Sequence, residues 1–138
     1  VDNVNKKKSF SFLSWNVNGL LAKIYDTAVV TFVSSFDFVC IVETFLDYFE
    51  FDVFSTHKVF CKPAVRFPGR GRPSGGVIVL IKKELVPFVR QLDCDKCGYF
   101  LVFVVDKQLF GLSRDVLYVC AYLPPEGSPF YAHFDVEN

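Results

Sequence analysis

The sequence has no methionine, a single tryptophan, two histidines and no net charge. Each shortage excludes something. With Val1 first and no initiator residue anywhere, the chain is expected to be a processed product, an excised piece or part of a longer polyprotein. Zero net charge removes any global field drawing the chain to nucleic acid. His57 and His133 do not give Cys94-Asp95-Lys96-Cys97 a second ligand pair at zinc spacing. Apolar β-like sequence, not a helix, follows that CxxC, which excludes a thioredoxin-type motif and leaves a polar turn holding two thiols. No apolar run is long enough to span a membrane, no Asn-x-Ser/Thr sequon occurs, and no apolar segment follows Lys6-Lys7-Lys8 to make a signal peptide. Cysteine is odd in number, at five, and Cys40 and Cys120 lie inside apolar runs as small buried hydrophobes. That usage suggests a reducing, intracellular setting, nuclear or cytoplasmic.

What is present is apolar and aromatic. Hydrophobic residues make up 51% of the chain and 17 residues are Phe, which places it well away from disordered sequences. Its 138 residues fit one domain, residues 1–138, with 1–8 polar and expected to be disordered. The aromatic load exceeds the needs of a small core, so part of it is expected to cover a surface that meets more protein.

Periodicity sets the coarse order. Residues 10–15 alternate as a strand. Leu21, Ile24, Tyr25, Ala28 and Phe32 recur at helical spacing and predict one amphipathic helix over 21–34. Residues 37–42 are near-continuously apolar, as in a strand covered on both faces. A strand is expected around 52–61, a loop over 63–76, a buried strand over 76–81, strand-like runs over 86–92 and 99–106 with a turn at 93–98, and a last strand over 116–122. The class is α/β, mostly β, with one clear helix.

The chemistry sits at strand ends. Ser14-Trp15-Asn16-Val17-Asn18-Gly19 leaves its strand through two carboxamides and a glycine, and Val42-Glu43-Thr44 closes the next with a carboxylate. Open α/β sheets place ligands outside the carboxyl ends of strands. Glu43 follows five apolar residues, so its charge must be paired, hydrated or metal-bound. Mg²⁺ suits such a place, because it takes few carboxylates and completes its shell with water and phosphate oxygens. Asn16 reads equally as a turn former, since Asn-x-Asn-Gly is turn chemistry. Gly69-Arg70-Gly71-Arg72-Pro73-Ser74-Gly75-Gly76 lacks the Gly-Lys-Ser/Thr of a P-loop and precedes a strand, so it is no phosphate cradle. It reads as a flexible connection with a tight glycine pair, whose Arg70 and Arg72, with Arg66, are candidates for phosphate-backbone contacts.

The order of these pieces resembles the DNase I-like endonuclease/exonuclease/phosphatase superfamily. Trp15-Asn16-Val17-Asn18-Gly19, Val42-Glu43-Thr44, Gly75-Gly76-Val77-Ile78-Val79-Leu80-Ile81 and Val119-Cys120-Ala121-Tyr122-Leu123-Pro124-Pro125 fall in the family's sequence, spanning about residues 10–125. Their wording is most similar to the apurinic-site-type endonuclease domains of non-LTR retrotransposons. The resemblance implies a four-layer α/β sandwich, of which the chain holds the N-terminal part. It implies Glu43 as a direct Mg²⁺ ligand, Asn16 at the metal shell or scissile phosphate, Tyr122 approaching the phosphate, and DNA as substrate. Asn18 stands where many relatives carry Asp. The family's Gly-Asp-Phe-Asn motif, a further Asp and a Ser-Asp-His are absent, and Tyr131-Ala132-His133-Phe134-Asp135 does not supply the last. The expectation is therefore a DNA-endonuclease fragment inactive alone, with a partner or a second copy covering its open apolar face. The alternative is a degenerate, domesticated remnant serving as a structural or interaction subunit; a lipid-phosphatase role within the superfamily fits the wording less well.

Overall fold

The computed structural model describes residues 9–92 and 99–127. The lysine cluster, the CxxC and its turn, and His133 lie outside these residues. Among the described residues the chain forms seven strands in two sheets. The first sheet has the order β1-β2-β4-β3, from Phe12–Asn16, Phe38–Val42, Val77–Lys82 and His57–Lys62. Its β1–β2 pair is parallel, with Asn16 opposite Val42, and its other pairs are antiparallel. The second sheet is antiparallel, β5-β6-β7, from Val89–Leu92, Phe100–Val105 and Val116–Ala121.

Side-chain parity explains the layers. Strands β2 and β4 are central and, up to Lys82 at the end of β4, apolar, so each buries both faces. Phe38, Cys40, Val77, Val79 and Ile81 point to the second sheet, where they meet Leu101, Phe103, Val105 and Cys120. Val39, Ile41, Ile78 and Leu80 point the other way, onto Leu20, Ile24, Val33 and Phe54. Two cores of alternate residues thus separate a helix-and-loop layer, a mixed sheet and an antiparallel sheet, an α/β arrangement of the DNase I-like kind. On the far side of the second sheet, Leu117 and Val119 of β7 are exposed. At the end of the first sheet remote from Asn16, the buried carboxylate of Asp37 accepts from the Ser11 amide at 2.8 Å and pairs with Lys82 at 3.4 Å.

Several expectations are corrected. The helix, α1, covers Thr27–Ser34, not 21–34. Residues 20–25 form a turn, with Ile24 N–H donating to the Leu20 carbonyl, and Asp26 caps the helix by accepting from the Ala28 amide at 2.9 Å. Asp before Thr27 is an N-cap signal that overrides a continuous helical stripe. The inward residues are Leu20, Ile24, Val29, Val30 and Val33, whereas Leu21, Tyr25, Ala28 and Phe32 are exposed. The strand expected near 52 begins at His57, whose buried ring donates from Nε2 to the Phe36 carbonyl at 2.7 Å and accepts at Nδ1 from Thr56. The run expected over 86–92 opens as a 3-10 helix, Lys83–Phe88, because Pro87 cannot donate to a ladder. A short helix, α2, at Lys107–Phe110 escaped the sequence reading; Asp106 caps it and Gly111 ends it in the left-handed region.

Candidate active site at the carboxyl ends of the strands

The strands feeding the site end together. Beyond β1 and β2 the backbones stay laced: Val17 N–H donates to the Val42 carbonyl at 3.1 Å, Gly19 N–H to Glu43 at 2.8 Å and Leu20 N–H to Thr44 at 3.0 Å. On the other side Thr44 N–H reaches the Gly76 carbonyl at 3.3 Å and Phe45 N–H the Gly75 carbonyl at 3.0 Å. Held from both sides, Glu43 and Phe45 take left-handed φ values of 55° and 58°. Such conformations cost non-glycine residues about 1–2 kcal/mol each and persist where neighbours over-determine them.

Glu43 meets Tyr122, the first residue past β7. The Tyr122 hydroxyl donates to the Glu43 carboxylate, and its backbone N–H donates to the Tyr99 carbonyl at 2.9 Å. Both line a cleft of about 300 Å³ together with Phe45, Arg70, Arg72 and Glu126. The Arg72 guanidinium lies 3.9 Å from the centre of the Phe45 ring, a cation–π stack that fixes a flexible cation at the rim. Two cations, two carboxylates and a phenol thus converge on one opening, although the chain as a whole is neutral.

Burial first, then the Glu43 charge and the hydrogen bond it accepts, push the Tyr122 hydroxyl up to about 12; Arg72 acts in the opposite sense. Tyr122 therefore remains a donor at neutral pH. The raised value also has a stability consequence. Folding favours the protonated phenol, so its contribution is complete below an ordinary tyrosine pKa of about 10 and disappears as pH climbs toward about 12. Wild type should lose urea resistance across that window more steeply than Tyr122→Phe. Parallel losses would remove the Glu43–Tyr122 bond from the account.

The sequence candidates separate. Glu43, Tyr122, Arg70 and Arg72 come together. Asn16 is exposed at the end of β1, opposite Val42 and outside the residues that line the cleft, and its carboxamide oxygen accepts from the Asn18 amide at 3.2 Å. That is the turn former of the bland reading, with Asn18 in the left-handed region at φ 48°, and one lone pair of the Asn16 oxygen is still available. Arg66 does not join the cleft; it is exposed and ion-paired with Asp47. Phe45 and Glu126 were missed. Glu126 had a signal, an acidic residue just after Leu123-Pro124-Pro125, whereas the Phe45–Arg72 stack joins segments with no local link in the sequence. Among the described residues no group of three or more His, Cys, Asp or Glu side chains forms a cluster that could hold a metal ion.

Comparison with known proteins agrees with this fold. In the solved structures, the AP endonuclease LMAP from Leishmania major is similar at a TM-score of 0.63 and 20% identity, over 89% of this chain. The present chain covers 43% of that protein, less than half its length. No curated protein matches the sequence. A sequence model described as the endonuclease/exonuclease/phosphatase family matches residues 13–132, and the chain belongs to that family.

Proposed function

We propose that the chain carries one side of a Mg²⁺-dependent DNA-endonuclease site of the retrotransposon type, and that it is inactive without the remainder of such a domain. The observation that carries this reading is the convergence of Glu43, Tyr122, Arg70 and Arg72 on one cleft at the strand ends. A rim with Glu43 and Glu126 is compatible with Mg²⁺, which is commonly held by one or two carboxylates plus water and substrate phosphate. Glu43 would hold the ion, with the Asn16 carboxamide beside it. The chemistry the ion supplies there is neutralisation of the phosphodiester's charge.

The protein's own groups do the rest. Arg70 and Arg72 attract the phosphate backbone and orient it, as guanidinium forks do for phosphate oxygens. Tyr122, protonated at working pH, directs its one hydroxyl proton at the Glu43 carboxylate and so orients that carboxylate at the rim. No described residue in the cleft is a histidine placed to activate water, which supports inactivity in isolation.

The test is a fluorescence-anisotropy titration of a duplex oligonucleotide, run beside a plasmid-nicking assay with Mg²⁺ or Mn²⁺. The chain should bind DNA without nicking it. Arg70→Ala with Arg72→Ala should flatten the log–log salt slope by about 2, roughly one for each phosphate that is no longer neutralised. Nicking that vanishes in Glu43→Ala would show that the chain is a complete enzyme. A second reading, a non-catalytic interaction subunit, draws on exposed Leu117 and Val119. It predicts no DNA binding at physiological salt, so the titration separates the two.

A further inference from the structure

Two thiols face each other across the gap between the sheets, a few residues behind the site. On β2, Phe38 and Cys40 are two residues apart and point to the second sheet; on β7, Tyr118 and Cys120 do the same from the opposite side. The Phe38 and Tyr118 rings meet edge to face with centroids 5.4 Å apart. One step along, Cys40 and Cys120 lie in the same buried cluster, close enough for each thiol to perturb the other's ionisation. One step further, Glu43 meets Tyr122. Strands β2 and β7 therefore run in the same direction across the gap, with Phe38–Tyr118 and Cys40–Cys120 two residues apart on each strand and Glu43–Tyr122 just beyond their ends. Stacked sheets lie about 10 Å apart, and opposed cysteines bridge that gap in immunoglobulin domains.

We propose that Cys40 and Cys120 are an oxidation site, converted to an inter-sheet disulfide by hydrogen peroxide. The thiolate of one attacks a peroxide oxygen, giving a sulfenic acid and releasing hydroxide, which takes up a proton as water. The sulfur of the second thiol then attacks the sulfenic sulfur and expels the hydroxyl as a second water. Two thiols and one peroxide yield one disulfide and two waters. Both residues are buried, at 7% and 2% exposure, so the oxidant must be small.

Burial opposes ionisation of both thiols, and their mutual contact eases ionisation of one at the other's expense. Whichever sulfur attacks the peroxide, the other is placed to resolve the sulfenic acid. The bond would tie the strand ending at Glu43 to the strand leading to Tyr122.

Trypsin releases each of the five cysteines on a separate peptide, so mapping is unambiguous. The folded full chain is treated with peroxide, alkylated and digested without reductant. The expected product joins the Cys40 and Cys120 peptides, disappears with dithiothreitol, and is not formed preferentially in urea. The oxidised chain should melt higher by on the order of 10 °C, because the bond closes a long loop. Recovery of Cys40 and Cys120 alkylated, separately over-oxidised or joined to other cysteines overturns the proposal. So does a lowered Tm in the linked species, since the sulfurs then do not meet in the native packing.

Discussion

Gly76→Ala should cost the fold about 3 kcal/mol, seen as a fall in Tm of roughly 10 °C in a calorimetric or circular-dichroism melt. Gly76 has φ +94°, a region L side chains rarely adopt, and an added Cβ would stand 2.2 Å from Thr44 Oγ1 and 3.3 Å from Ala64 Cβ. Thr44 cannot easily yield. It is buried, its hydroxyl accepts from the Leu46 amide at 3.3 Å, and its backbone N–H is bonded to Gly76 itself. Gly69→Ala supplies the control, because Gly69 also has a positive φ, +78°, but nothing lies within 4 Å of its added Cβ. The backbone term alone, about 1 kcal/mol, should remain there. Equal losses at the two positions would mean that the Thr44–Gly76 contact does not constrain the fold. The contact matters for function because the Gly75–Phe45 and Gly76–Thr44 bonds are one of the two sides that hold Glu43 in its left-handed conformation.

Much of this was legible in the chain because it is local. The near-continuous apolar runs of β2 and β4 announced strands buried on both faces, and alternation announced β1. The glycine pair announced a tight approach into β4; the fold brings Glu43 together with Tyr122 at one cleft, while Asn16, read from the sequence as its neighbour, does not line it. Other features were hidden for physical reasons. Asp26 is a weak mark in a stripe of apolar residues, yet its carboxylate satisfies an orphan amide and sets where α1 begins. The order β1-β2-β4-β3 is a choice among long-range pairings that no local pattern specifies. Arg66, Arg70 and Arg72 are alike in sequence. Only the folded loop sends Arg72 onto Phe45 and leaves Arg66 with Asp47. The facing thiols were legible as buried residues, but not as a pair, because their contact joins two sheets.

The second large effect concerns the carboxylate. If Glu43 is the main ligand on this rim, Glu43→Gln should weaken Mn²⁺ binding by roughly tenfold or more, since a neutral carboxamide loses the charge that draws a hard cation. Stability should change little. Glu43 is half-buried at a strand end, Gln retains its shape, and the Tyr122 hydroxyl still finds an acceptor oxygen. Tyr122→Phe should leave Mn²⁺ affinity near that of wild type, because a protonated phenol is a poor ligand, which distinguishes the two halves of the pair. A folded Glu43→Gln chain with unchanged affinity would move the metal away from the strand ends.

The most direct measurement is the broadening of amide resonances in the ¹⁵N-labelled chain by traces of Mn²⁺, with Mg²⁺ as competitor. The account predicts that broadening starts at Asn16–Val17, Glu43–Phe45 and Tyr122, is reversed by Mg²⁺, and is lost in Glu43→Gln with the remaining spectrum intact. Broadening centred elsewhere, or unchanged in Glu43→Gln, would contradict it.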